Sequence, residues 1–372
     1  MPPTSPLQGQ TIIELARPGG SEVTNRAISL AGRIAADLGA TVVKVEPPEG
    51  CALRRAAPFV TGADGARESA TFAFLNGGKR SLRLGGRPQD QALIAALAAR
   101  AQATITDDTA AIAGALARVP VKVIVEHGVP ASAGLPEERI TDTTILALSG
   151  LLDIMGKPDA APVPLGGHQA SYVTGLAAFS ALCASLSARA QGAAGETATV
   201  SAVEANLWSN WKSFAERLYL GRCPTRQGEL AEWQTVPCAD GYATLIYLEK
   251  DWPAVARLIG EPRLAAPPLD TREGRRANIA QVYDMVRPWY AARSRKEIYA
   301  LAKAAGLPIG AVIGVRELLD DQQYAAQRFL APSAARNRAE HWRVPTVPTA
   351  WSGQRFAPSV ATQGTDATEA VL

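Results

Sequence analysis

The chain has 372 residues, 47% of them apolar, enough for one large core or two ordinary ones. Its formal net charge of +3 is spread along the sequence without a basic tract, which argues against nucleic-acid binding and suits a phosphorylated small ligand equally well. Cys51, Cys183, Cys223 and Cys238 are scattered, with no CxxC pair and no histidine at ligand spacing, so reduced thiols and no metal site are expected.

Residues 1–6 lack a basic segment followed by an apolar one, so no export signal is read there. Residues 11–15 (TIIEL) predict a first strand, and a Gly-rich loop at 17–21 leads into a helix. Ala27, Leu30, Ala31, Ile34, Ala35 and Leu38 repeat on one helical face, and Gly39 stands where a helix would stop. Residues 41–46 (TVVKVE) form the next strand, closed by Pro47 and Pro48. Strand, helix and strand in this space make a βαβ unit and imply a parallel sheet. The pattern continues with strands at 81–84, 103–106 and 121–126 and helices at 90–101 and 110–117. The fold class is therefore α/β, a doubly wound large domain over 1–224.

The apolar stretch 175–186 is interrupted by Ser and Cys and is short for a bilayer, so a cytoplasmic protein without a membrane partner is expected. A long helix is predicted to run past Trp208 and Trp211 to about Leu220. Trp208, Trp211 and Tyr219 share one face of it, for core or interface. Residues 236–246 read as a hairpin turning at Asp240-Gly241, followed by helices at 251–259, 275–293 and 294–305 and a strand-like run at 308–313. A smaller α+β domain is expected over 225–330. Pro345, Pro348 and Pro358 mark 331–372 as an extended return segment packing on the large domain.

Five motifs in order carry more information than any one of them. They are LGATVVKVEPPEG at 38–50, LNGGKRSL at 75–82, and LSGL at 148–151 with GKPDAAP at 156–162. GETATVSAVEA at 195–205 follows, then GLPIG at 306–310 with ELLDDQQYAAQRF at 317–329. With GGHQASYVTGLAA at 166–178, they resemble the class III CoA-transferase family (CaiB/BaiF type) over nearly the whole chain. The resemblance implies two subunits threaded through each other as an interlocked dimer. CoA or an acyl-CoA would be the ligand or substrate, with no permanently bound cofactor, and a small carboxylic acid the second substrate. It places Ala27, Lys44, Glu46, Gly77, Gly78, Lys79 and Arg80 along the CoA nucleotide. On their own terms, Gly77-Gly78 permits close backbone approach and Lys79-Arg80 supplies cations for a phosphate, although such a turn can equally be a solvated one. Arg54 and Arg55 read the same two ways.

Three departures stand out. The loop from Ala16 to Arg26 is longer than the family's tight turn. Asp107-Asp108 replaces the family's Asn-Phe pair and would repel a phosphate. Ser171, four residues before Gly175, stands where the family has its catalytic aspartate. In the family that carboxylate attacks the acyl-CoA thioester to give a mixed anhydride. The CoA thiolate then takes the aspartyl carbonyl, and the acceptor acid attacks the resulting enzyme–CoA thioester. Each step needs a carboxyl carbon on the protein, and a serine hydroxyl has none. His168 lies three residues before Ser171, close enough on a helix for a Ser–His pair with His168 as base; a capping and packing role is the alternative. Asp153 and Asp159 precede the motif and read as loop residues. The expected function is CoA transfer between an acyl-CoA and a carboxylic acid with altered catalytic residues. The alternatives are a non-catalytic subunit paired with an Asp-bearing paralogue, as homodimer or hetero-oligomer, and a non-enzymatic acyl-CoA-binding protein.

Overall fold

The computed structural model describes residues 5–61, 65, 67–157, 160–223, 226, 232–332 and 343–356. In chain order the first part runs β1 (Thr11–Leu15), α1 (Glu22–Asp37), β2 (Thr41–Glu46), β3 (Phe59–Thr61), β4 (Arg67–Ser69), α2 (Ala70–Asn76) and β5 (Arg80–Arg83). It continues with α3 (Pro88–Arg100), β6 (Ala103–Thr106), α4 (Thr109–Ala113), β7 (Val121–Glu126), α5 (Asp142–Leu148), α6 (Gln169–Ala190), β8 (Glu196–Ser201), α7 (Ala202–Ser209) and α8 (Trp211–Leu220).

Six of these strands form one sheet in the order β5-β2-β1-β6-β7-β8, every neighbouring pair parallel. The doubly wound α/β expectation holds. The chain steps outward from β1 on one side, then returns to β6 and steps out on the other. The β1/β6 boundary is thus the switch point, where the loops leaving the strand ends diverge and ligands of such sheets collect.

Helix α1 starts as its sequence requires. Ser21 caps it, its hydroxyl oxygen accepting from Val23 N at 3.0 Å while donating to the Ile140 carbonyl at 3.2 Å. Gly39, at φ +95°, lets the chain turn out of the helix into β2. The same α1 packs along α6, and both lie over Ile12, Ile105 and Val123 of the sheet.

Helix α6 has 22 residues and by length and composition could cross a membrane. It is longer than the interrupted stretch 175–186 suggested, yet it buries Ala170, Thr174, Gly175, Ala178 and Leu182 as a core helix does. A Cβ on Gly175 would lie 2.9 Å from the Ala27 carbonyl oxygen and 3.0 Å from Leu30 Cβ, so glycine sets the α1–α6 spacing. Gly175→Ala would gain about 1 kcal/mol of helix propensity. It would lose about 1–3 kcal/mol to overpacking, because backbone cannot swing aside as a side chain can. A lower melting temperature in thermal unfolding is the expected outcome, and an unchanged or higher one would show that α1 and α6 separate freely.

The long helix predicted through Trp208 and Trp211 is two helices, broken at Asn210. The Asn210 side chain is buried and donates to the Ser149 carbonyl at 3.2 Å. That bond comes from a distant part of the chain and holds the break. The chain divides into two compact units, Met1–Arg226 with Ala325–Leu372, and Gln227–Tyr324. In the first, β11 (Leu330–Pro332) pairs antiparallel with β12 (Arg343–Pro345), and Val347 packs on Ile34 and Leu38 of α1.

The second unit holds the hairpin β9 (Gln234–Cys238) and β10 (Gly241–Leu245), turning at Asp240 as expected. Helices α9 (Trp252–Ile259), α10 (Arg272–Ala277), α11 (Ile279–Ala291) and α12 (Arg295–Ala304) complete it around Trp252, Val286 and Tyr290. The predicted helix 275–293 is likewise interrupted, at Asn278.

Candidate active site

The site is assembled from the bottom of α6 upward. His168 occupies the position before the helix at φ +62°, a left-handed conformation, and gives the helix no side-chain cap. Residue 168 therefore stands outside the helix rather than sharing its face with Ser171. The first N–H groups of a helix need acceptors. One is supplied from elsewhere in the chain: Asp142, the first residue of α5, accepts Ser171 N–H on Oδ1 at 2.8 Å. Its other oxygen, Oδ2, accepts the Ser171 hydroxyl at 2.9 Å and lies 3.4 Å from His168 Nδ1.

Both predicted residues, Ser171 and His168, thus meet at one carboxylate. The Ser171 hydroxyl has a single proton, and it is directed at Asp142. Ser171 is fully buried, whereas the side chains of Asp142 and His168 are 13% and 40% exposed. A ligand approaching from solvent reaches the carboxylate and the imidazole before it reaches the serine.

The corner is closed by α1. Val23 packs with Ala170 and Ile145, joining the first turns of α1 and α6 to α5. One turn along α1, Arg26 is 5% exposed; its Nη1 donates to the largely exposed Glu22 at 2.7 Å, and its Nε has no hydrogen-bond partner. A buried guanidinium with an unmet donor is costly and calls for an explanation. Burial pushes the Tyr172 phenol up, with the Arg26 charge opposing and the Asp142 charge adding, so both charges are felt at that ring. Asp142 and Arg26 were not singled out in the sequence. The only local signal for Asp142 is its place after Thr141 at the head of an apolar run, an ordinary helix-start pattern.

The predicted nucleotide contacts separate into two groups. Lys44 and Lys79 are 2% exposed and both ammonium groups donate to the buried Glu14 carboxylate. Lys79 also donates to the Ser29 carbonyl at 2.7 Å and Asn76 Oδ1 at 3.0 Å. Gly32 of α1 leaves room for this cluster, since a Cβ there would fall 2.2 Å from Glu14 Oε2.

Burial would raise the Glu14 carboxyl, but the two lysines outweigh it and hold it below the usual range. Burial also pulls Lys79 down, with repulsion from Lys44 and Arg33 helping and Glu14 opposing, to about 7. Burial works against charge on Lys44 too, but Cys51 and Glu14 outweigh it, so Lys44 holds its proton more tightly than usual.

Glu46 is buried as well. It takes two hydrogen bonds from Arg54, each 2.7 Å, with further ones from the Ser81 hydroxyl and Cys51 N, which overcome burial and hold it at about 2. Three residues that the resemblance puts along CoA therefore spend their charge inside the fold. Gly77 and Ala27 are buried, the latter in the α1–α6 contact. Gly78, at φ +76°, makes the turn that sends Lys79 inward, and Arg80 is exposed.

The acidic pair after the predicted strand 103–106 also has work within the fold. Asp107 accepts Arg17 N–H at 2.6 Å and the Thr24 hydroxyl at 2.8 Å, tying down the long β1–α1 loop at the switch point. Burial pushes its carboxyl up. Asp108 caps α4 through Ala111 N–H at 2.9 Å. Asp153 lies in an exposed turn, 3.5 Å from Arg226, and Asp159 falls outside the described residues.

A model of CoA-transferase family III matches residues 7–115 and 134–362. The succinate–glutarate CoA-transferase of Agrobacterium fabrum is 28% identical over 87% of this chain and 84% of its own. The succinyl-CoA:mesaconate CoA-transferase of Haloarcula marismortui is 26% identical over 80% of this chain and 79% of its own. Among solved structures, a CaiB/BaiF family protein from Brucella suis superposes with a TM-score of 0.81 at 25% identity, covering 99% of both chains. The matched residues take in α5, α6 and every strand of the sheet except β7, and they leave one conclusion: the chain belongs to CoA-transferase family III.

Proposed function

We propose that this protein moves CoA from an acyl-CoA to a small dicarboxylic acid at the corner formed by Arg26, Asp142, His168 and Ser171. The observation that carries this reading is Arg26. The Arg26 guanidinium is almost wholly buried, hydrogen-bonded to Glu22 and left with its Nε–H unpaired. It is the planar donor that an acceptor carboxylate entering this corner would take up. The named relatives act on succinate, glutarate and mesaconate, acids of that class. The CoA phosphates would be met by Arg80 and the partly exposed Arg54 and by the Gly78 turn, with Lys44 and Lys79 shaping the strand ends beneath.

The setting is the cytoplasm, which suits four free cysteines. A second chain is expected in the functional assembly. Trp208, Trp211 and Tyr219 are 80%, 64% and 86% exposed, large apolar side chains that the single chain leaves in water.

The test is an exchange assay on the purified chain, with its mass in solution measured alongside. Succinyl-CoA is offered glutarate, then mesaconate, and acetyl-CoA is offered oxalate, following the pairs named for relatives. New acyl-CoA from a homo-oligomer supports the reading. Failure with all three pairs, rescued by adding an Asp-bearing paralogue, would instead make this chain the non-catalytic subunit of a pair, a reading favoured by the missing carboxyl carbon at Ser171.

A further inference from the structure

The family chemistry needs a carboxyl carbon, and Ser171 cannot supply one. The structure nevertheless places a carboxylate against Ser171: Asp142 receives both the Ser171 N–H and the Ser171 hydroxyl, at 2.8 and 2.9 Å. We infer that Asp142 is the nucleophile of this branch, its carboxyl group brought to the head of α6 from α5, with Ser171 as the residue that orients it. This inference rests on the CoA-transfer reading above and names the residue that performs it.

Three features favour Asp142 over its neighbours. Its side chain is 13% exposed, so solvent reaches it, while Ser171 is closed off. Two hydrogen bonds to one residue fix both of its oxygens, so attack begins from a single orientation. Each oxygen still has a further lone pair after accepting one hydrogen bond. Asp153, by contrast, is 74% exposed on a turn with nothing comparable to aim it.

The steps balance without any added reagent. An Asp142 oxygen attacks the thioester carbonyl, the C–S bond breaks, and CoA leaves as thiolate from a mixed anhydride. The thiolate attacks the Asp142 carbonyl carbon, the C–O bond to the acyl group breaks, and the donor acid departs as carboxylate. Asp142 is now an enzyme–CoA thioester. The acceptor carboxylate attacks that carbon and expels the thiolate, which then attacks the acceptor acyl carbon. The new acyl-CoA leaves and the Asp142 carboxylate is restored. No proton is gained or lost over the cycle, so Ser171 and His168 need only position and stabilise.

The experiment is to mix the protein with succinyl-CoA and quench it. Borohydride or hydroxylamine then traps any enzyme thioester, and peptide mass mapping locates it. The expected result is a hydroxamate or a reduced alcohol at Asp142, the trace left by its CoA adduct, in wild type and in Ser171→Ala. In Asp142→Asn the adduct should be absent, and succinyl-CoA:glutarate exchange should fall by about 10³-fold or more. Wild-type mapping does not depend on whether a variant folds. Exchange in wild type with the adduct on Ser171, on another residue or nowhere overturns the inference while leaving the CoA-transfer reading standing. So does full exchange by Asp142→Asn. Neither exchange nor adduct with succinyl-CoA and glutarate, succinyl-CoA and mesaconate, or acetyl-CoA and oxalate overturns both.

Discussion

Replacing Arg26 with methionine is expected to raise the KM for the acceptor acid by about 10²-fold and to leave the protein as stable as before or more so. The two halves of this prediction come from the same geometry. Arg26 is 5% exposed, its Nε is unpaired, and its carboxylate partner Glu22 is 57% exposed in its side chain. Glu22 is therefore left in water, not stranded, when the arginine is removed, and the fold is relieved of a desolvated charge. The acceptor acid loses a charge-assisted hydrogen-bond donor in a site shielded from water, which is where such bonds count most. An arginine with a purely structural role would behave in the opposite way, with a lower melting temperature and an unchanged KM. Steady-state kinetics at varied glutarate, paired with thermal unfolding, separates the two.

Glu14→Gln is expected to destabilise the first unit by about 3–5 kcal/mol, because it leaves two buried ammonium groups without their carboxylate. Lys44 and Lys79 both donate to Glu14 beneath α1, and each is 2% exposed. The pH dependence follows in sign. Glu14 is held below its ordinary 4.5, so its contribution is complete above that value and is lost as the pH falls.

Lys79 lies below its ordinary 10.5, at about 7, so between those values the unfolded chain holds a proton that the folded one has shed. Stability therefore rises with pH through that window. Without Glu14 both lysines lose the attraction that keeps them charged, and the variant should recover more stability than wild type between about pH 6 and about pH 9. Urea midpoints at the two pH values measure this. An equal deficit at both would mean that the lysines are not sensing Glu14.

What could be read from the residues in order was whatever depends on near neighbours. The alternation of β-branched runs with apolar helical faces gave β1, α1, β2, β6 and β7 close to their observed bounds. Gly39 and the Asp240-Gly241 turn marked their own ends. Where a distant contact intervened, the reading slipped. Asn210 breaks a helix by bonding Ser149. Lys44 and Lys79 have the look of phosphate cations, and burial against Glu14 turns them inward.

The same division runs through the site. The motifs alone identified the family and the head of α6, since each is a local pattern of residue types. Only the tertiary structure could supply Asp142, which lies 29 positions away along the chain and reaches Ser171 through the packing of α5 on α6. Local sequence specifies which helix starts where. A carboxylate's position in a site is set by which helices the core brings together, because side-chain chemistry acts through space and not along the chain.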